Sequence, residues 1–165
     1  MIMKIIAATS IVAATLMGVA ALGVSHAQAA STCRSSSKSF NLPGKADQSM
    51  TINLCVSRTG PGGRPRATAD VKWGSWDTKA SRKRFNSIKV QLRLERSDVS
   101  KGSLSHELAS SLNAHADGSS PYIYLVDTTS TLRGGWSADA TVTYDIADDG
   151  KSPATWDVTG SPLIS

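Results

Sequence analysis

Cysteine and histidine are scarce in this sequence, and their scarcity narrows the kinds of site that it can form. The chain has two cysteines, Cys33 and Cys55, and three histidines among 165 residues. Neither cysteine belongs to a CxxC pair, and the histidines beyond residue 29 lie far along the chain from both. A structural zinc site needs four such ligands at short spacings. We therefore predict no metal site and no other cofactor.

Long apolar runs are also absent, with one exception at the N-terminus. Lys4 precedes an apolar run over residues 5–24, and Ala27-Gln28-Ala29 supplies a small-x-small cleavage site. We predict that residues 1–29 are a cleaved signal peptide and that residues 30–165 form one secreted, extracellular domain. The length of the run leaves an uncleaved membrane anchor as the alternative. No later stretch is apolar enough to enter a membrane, so we expect no span after cleavage.

Export determines the expected state of the two cysteines. In an oxidising compartment a single pair forms a disulfide by default, so we predict a bond between Cys33 and Cys55. Closing a loop of this length stabilises the fold by about 3 kcal/mol on the chain-entropy model. An oxidised pair offers no thiolate, which removes a catalytic cysteine from the options.

Apolar and polar residues alternate along most of the remaining chain. The pattern is clearest in residues 50–56, 67–73, 88–94 and 136–146, and Gly/Pro-rich turns separate these segments. Alternation with period two is typical of antiparallel strands that bury one face. We predict an all-β protein, an antiparallel β-sandwich or small barrel of about seven or eight strands. Cys55 falls on the polar side of its strand, so the disulfide should lie on the outer face or along an edge.

Residues 103–114 are ambiguous. Leu104, Leu108 and Leu112 are four positions apart, which suits a helix face and one side of a strand equally. A helix here would lack a capping box, because Leu104 stands three residues before Glu107 where Ser or Thr is needed. We predict a strand paired with residues 122–126, which are apolar on both faces and therefore expected centrally in a sheet or under a loop.

Charge is divided unevenly along the predicted mature chain. Residues 30–101 contain 15 basic and 5 acidic side chains, whereas residues 102–165 contain 2 basic and 8 acidic ones. The two halves could form neighbouring strands that compensate each other. Alternatively, the basic half could present a face to an anionic polymer, such as a cell-wall phosphate polymer or nucleic acid.

The densest basic cluster follows two tryptophans. Residues 79–84 hold four cations, and Trp76 lies past Gly74, where we expect it to be exposed. An exposed aromatic ring beside clustered cations can stack on a sugar or base and neutralise phosphate. The predicted ligand-binding residues are Trp76, Arg82, Lys83 and Arg84, and a merely solvated loop is the alternative. If the flanking strands pair as a hairpin, the basic patch extends along them through Arg66, Lys72, Lys89 and Arg93. The carboxylates of Asp70 and Glu95 would then interrupt that patch.

The sequence contains few residue patterns that are typical of catalytic sites. The sequence has no Gly-x-Ser-x-Gly turn, and only His106 and His115 survive signal cleavage. Asp139 and Asp145 share one strand face at a separation of about 20 Å, which is too far for a glycosidase pair. We predict a protein that is not an enzyme, with a hydrolase using His106 or His115 as a remote alternative.

Several segments carry a resemblance to known proteins. The chain resembles small secreted actinobacterial proteins of unassigned function. The resemblance lies in the export signal, the cysteine pair, Leu92-Arg93-Leu94-Glu95-Arg96, residues 134–139 and residues 156–165. The resemblance implies secretion and an all-β fold, and it transfers no site residues.

The residues themselves predict a secreted, non-catalytic binding protein for an anionic or glycan polymer of the cell envelope. The alternative is an inhibitor or toxin directed at an extracellular protein. In that case the loop over residues 60–65 would be the recognition element presented by the rigid sandwich.

Overall fold

A computed structural model describes residues 30–60, 62–75, 83–120 and 124–164 of the chain. The predicted signal peptide, residues 1–29, lies outside these ranges. The strands within them are β1 (Ala30–Phe40), β2 (Gln48–Arg58), β3 (Pro65–Gly74), β4 (Phe85–Arg96), β5 (Val99–Glu107), β6 (Gly118–Ser119), β7 (Tyr124–Asp127), β8 (Trp136–Ile146) and β9 (Ala154–Val158), with one helix, α1 (Ala109–Ala114). None of the helical structure in these ranges is long and apolar enough to cross a membrane.

The strands form two antiparallel sheets. In sheet A the order is β1-β2-β3, and both β6 and β7 pair with the far side of β3. In sheet B the order is β5-β4-β8-β9. The two sheets stay separate over the described ranges, so the predicted all-β fold is confirmed as a sandwich. The short β6 brings the number of described strands to nine, one more than the upper end of the prediction.

The core lies between the sheets and follows the alternation seen in the sequence. Strand β2 contributes a row of fully buried side chains, Met50, Ile52, Leu54 and Val56. Each such burial stabilises the fold by about 1.5–3 kcal/mol. Trp73 and Trp136 are buried, whereas Tyr144 and Trp156 are only partly buried and pack against the core.

The disulfide joins Cys33 of β1 to Cys55 of β2, which stand directly opposite each other with a Cα–Cα distance of 4.0 Å. Both residues lie on the outer side of sheet A, since their neighbours Leu54 and Val56 point into the core. Strand β1 is an edge strand. The predicted bond and its predicted place on the outer face are both confirmed.

The prediction for residues 103–114 was wrong in two respects. The strand ends at Glu107 and the chain continues as α1, and β5 pairs with β4 instead of residues 122–126. The Glu107 side chain explains the change of structure, because its Oε1 accepts the backbone N–H groups of Ile88 and Ala109. The Leu108 N–H still donates to the Ile88 carbonyl at 2.8 Å, but the Ile88 N–H is bound by the Glu107 side chain, and the backbone leaves the sheet after this point.

Strand β7 is likewise not central. Among the described strands it pairs only with β3, at the margin of sheet A, and Leu125 on its outer side is 44 % exposed. Tyr124 and Val126 on the inner side are buried, as the apolar pattern requires. Residues 121–123 lie outside the described ranges.

Candidate functional site

Two of the predicted ligand-binding residues, Lys83 and Arg84, lie at one end of the sandwich. We call this end the loop end and define it by residues 41–47, 83–84 and 147–153. Trp76 and Arg82 fall outside the described residues. Lys83 is exposed, and its backbone carbonyl accepts a hydrogen bond from Lys45 Nζ at 2.7 Å. Lys45 also pairs with Asp148 at 3.1 Å, which ties the turn after β8 to the start of β4.

Arg84 is not the exposed cation that we predicted. Only 2 % of its surface is accessible, and its Nη1 donates to the carbonyls of Leu112 at 3.0 Å and Asn113 at 3.4 Å. The last carbonyls of a helix have no partner within the helix, so an arginine that reaches them satisfies otherwise unpaired acceptors. Arg84 therefore anchors α1 to β4 and is not available to a ligand at the surface.

The strand-face cations do not extend the basic loop into one patch. Strands β3 and β4 belong to different sheets, so the hairpin on which the extended patch depended does not form. Arg66 and Lys72 alternate with buried residues on the outside of sheet A, whereas Lys89 and Arg93 do so on the outside of sheet B. The two pairs consequently face opposite sides of the molecule.

Each of these two pairs of cations includes one that lies beside a carboxylate. Lys72 lies 3.7 Å from Asp70, and Arg93 lies 2.8 Å from Glu95. Arg93 also contacts Asp139 of β8 at 3.2 Å. Burial acts to lower the pKa of Arg93, but the hydrogen bonds and negative charges of Glu95 and Asp139 outweigh it and raise that pKa. At this point the basic and acidic halves of the chain do compensate each other.

A cleft of about 390 Å³ opens at the loop end, between the last residues of β1 and the turn after β8. Its lining combines two lysines, one carboxylate, two aromatic rings, two further apolar residues and two small polar side chains: Lys38, Ser39, Phe40, Asn41, Pro43, Tyr144, Ile146, Asp149 and Lys151. A smaller hollow of about 220 Å³ shares four of these residues and extends to Ser152 and Ala154. The two hollows are therefore adjacent, and Lys151 lines both of them.

The cleft has an aromatic wall with a cation beside it. The Phe40 and Tyr144 rings meet edge to face with centroids 4.9 Å apart, which fixes the orientation of the partly exposed Tyr144 ring. Lys38 Nζ stands 5.6 Å from the centroid of Tyr144. An ammonium group at this distance is attracted by the ring quadrupole.

The charge balance of the cleft is positive. Across the described ranges, neither Lys38 nor Lys151 forms an ion pair with a carboxylate. The carboxylate of Asp149 accepts the backbone N–H of Lys151 at 2.9 Å, and Asp148 is engaged by Lys45. Two lysines thus face one carboxylate in the cleft, which favours an anionic ligand.

Sequence reasoning missed Lys38, Tyr144 and Lys151 as members of one site. Lys38 and Phe40 share a side of β1 by alternation, and this was the only signal available. Tyr144 is in phase with the buried residues of β8, so the pattern predicts a core residue there. Their meeting depends on how β1 of sheet A lies over β8 of sheet B, and no local pattern encodes that arrangement.

The structure also describes the two histidines of the hydrolase alternative and the surroundings of the loop over residues 60–65. His106 is exposed on β5, with its ring centroid 5.1 Å from that of Tyr124, and His115 is exposed just after α1. The described ranges contain no group of three His, Cys, Asp or Glu residues placed to hold a metal ion. Near residues 60–65, the Arg58 side chain donates to the carbonyls of Gly63, Thr131 and Leu132.

No family model matches the chain, and no curated protein or solved structure matches it either. The resemblance to secreted actinobacterial proteins therefore stays a prediction.

Proposed function

We propose that the protein is a secreted, non-catalytic binding protein for an anionic or glycan polymer of the cell envelope. The observation that carries the proposal is the cleft at the loop end, where an aromatic wall lies beside two lysines without carboxylate partners. Ligand sites combine apolar or aromatic walls with a few converging polar groups, and this cleft has that composition.

The surroundings of the cleft strengthen its attraction for an anion. Lys83 is exposed at the same end of the sandwich, where its backbone carbonyl accepts a hydrogen bond from Lys45 Nζ. Clustered cations raise the local concentration of a polyanion and speed its association. A polymer that displaces counterions on binding should bind less tightly as salt is added.

The export signal and the disulfide support the location that the proposal requires. Residues 1–29 have the composition of a signal peptide, and Cys33–Cys55 is a bond of the type that persists in oxidising compartments. A protein released there meets the polymers of the cell surface directly.

The proposal is tested with the chain from residue 30 onward and three immobilised probes: purified cell wall, hyaluronan and polyphosphate. We expect retention on at least one probe, and we expect it to weaken steeply with added salt. The double variant Lys83→Ala/Lys151→Ala should bind at least about tenfold more weakly at low salt.

The matched control is Lys72→Ala/Lys89→Ala, which removes two exposed lysines from the outer faces of the sheets. It should bind like the wild type. Failure to bind any probe, or an equal loss in both double variants, would overturn the proposed site and function.

A further inference from the structure

We infer that the cleft between Lys38, Tyr144 and Lys151 is a subsite for one sugar ring that bears a single acidic group. This inference rests on the proposed function and names the repeating unit of the polymer. The acidic group is a carboxylate or a phosphate monoester, since both present the same charged oxygens to an ammonium group.

The aromatic wall selects a ring with an apolar face. Tyr144 is held by Phe40, which packs edge to face against Phe85 at 5.3 Å and lies 6.4 Å from Trp156. A ring braced in this way loses little conformational entropy when a ligand packs against it. A pyranose ring has a flat C–H face of the kind that an aromatic surface covers, and its hydroxyl groups remain free for polar contacts.

The lysines select the acidic group. Lys38 and Lys151 line the same cleft, and each ammonium is a compact charge with three rotatable donors. Unlike arginine, lysine does not impose a planar two-point geometry, so carboxylate and phosphate are both accepted. Contacts of this charge-assisted kind are about twice as strong as neutral hydrogen bonds.

The carboxylate of Asp149 limits how much negative charge the cleft accepts. Together with the two lysines, this carboxylate gives the cleft a net charge of +1. A sugar with a single acidic group therefore fits the cleft better than a densely charged strand. Asp149, Ser39 and Asn41 also offer acceptors and donors suited to sugar hydroxyls. Sites that bind nucleic acid strands combine strongly basic grooves with several stacking rings, so an acidic glycan is favoured over nucleic acid.

A second hollow next to the cleft gives room for a neighbouring unit of the chain. It shares four lining residues with the cleft and reaches Ser152 and Ala154, so a sugar in the larger hollow can extend into the smaller one.

The test measures affinities by calorimetry for four short ligands. They are a hyaluronan tetrasaccharide, a mono-phosphorylated maltotetraose, neutral maltotetraose and a single-stranded DNA oligomer. We expect the two acidic saccharides to bind at least about tenfold more tightly than the neutral one. A clear preference between the two identifies the acid as carboxylate or phosphate. Preferred binding of neutral maltotetraose or of DNA would overturn the inference.

The variants are Lys38→Gln, Lys151→Gln and Tyr144→Leu, with Lys72→Gln as the control on the outer face of sheet A. Each lysine change should weaken the acidic saccharides about tenfold and leave neutral maltotetraose unaffected. Tyr144→Leu keeps an apolar side chain against Phe40 and should weaken all three saccharides.

Failure of the inference and failure of the proposed function give different results. If polymer binding is lost in Lys83→Ala but unchanged in Lys38→Gln and Tyr144→Leu, the cleft inference fails and the proposed function stands. If no polymer is retained while an acidic tetrasaccharide still binds the cleft, the proposed function fails and the subsite stands.

Discussion

The side chain of Asn113, near the end of α1, completes the hydrogen bonding of Phe85 at the start of β4. Its Oδ1 accepts the Phe85 N–H at 3.0 Å, and its Nδ2 donates to the Phe85 carbonyl at 2.9 Å. The same Oδ1 accepts the N–H of Arg84 at 2.6 Å. One amide thus pairs three backbone groups at the loop end, beside the cleft that we propose as the binding site.

Replacing this asparagine should destabilise the fold strongly. In Asn113→Ala three partly buried backbone groups lose their partner, and each such loss costs about 1–3 kcal/mol. We expect a loss of at least about 2 kcal/mol in the free energy of unfolding, measured by urea denaturation. Asn86→Ala is the matched control, since Asn86 makes one exposed hydrogen bond, to Asp145. Equal effects of the two substitutions would contradict this role.

Arg84 and Lys83 are adjacent cations with opposite expected behaviour. Arg84→Ala leaves the carbonyls of Leu112 and Asn113 without their buried donor and should lower the midpoint of thermal unfolding by several degrees. Lys83→Ala removes an exposed side chain, so it should leave that midpoint unchanged and weaken polymer binding. A stable Arg84→Ala protein with reduced binding would instead support the surface role first predicted from the sequence.

The disulfide should contribute through the loop that it closes. The double variant Cys33→Ser/Cys55→Ser should be less stable by about 3 kcal/mol, because the unfolded chain regains the freedom that the bond removes. Urea denaturation with and without a reducing agent measures the difference, and the reductant should not affect the double variant. Identical midpoints for the oxidised and reduced wild type would refute this contribution.

Tyr124 should make stability depend on pH in the alkaline range. Burial raises the pKa of Tyr124 above its ordinary value of 10.0, although the hydrogen bond with Ser120 opposes the shift. An acid with a raised pKa in the folded state loses its proton more readily when unfolded. Its contribution to stability is therefore complete below about pH 10 and lost as the pH rises through the folded pKa.

The substitution Tyr124→Phe isolates this effect. The variant lacks the titrating group, so its free energy of unfolding should fall less between about pH 9 and 11 than that of the wild type. Urea denaturation at several pH values provides the comparison. Parallel curves for the two proteins would rule out a contribution from Tyr124.

The features predicted correctly depend on local patterns. The alternation of Met50, Ile52 and Leu54 was sufficient to assign β2 and its buried face. The opposite phase of Cys55 was sufficient to place the disulfide on the outside of sheet A. Both follow from the two-residue period of a strand, which the sequence shows directly.

The errors concern contacts between distant parts of the chain. Lys83 and Arg84 are neighbouring cations that the sequence does not distinguish. Arg84 is buried because it contacts the end of α1, whereas Lys83 is exposed. The end of β5 depends on a hydrogen bond from Ile88 to the side chain of Glu107, 19 residues away. The segment after β3 could return to the same sheet or cross to the other, and its composition fits both.

The most direct test of the account is to map the binding footprint by NMR. Amide resonances of the protein are followed as an acidic tetrasaccharide is added, beginning with the hyaluronan fragment and then the phosphorylated one. We expect shifts concentrated in residues 38–45, 83–84 and 149–152, with strands β5 and β7 unaffected. Shifts confined to the opposite end, around residues 58–64 and 131–133, or no shifts with either saccharide, would contradict it.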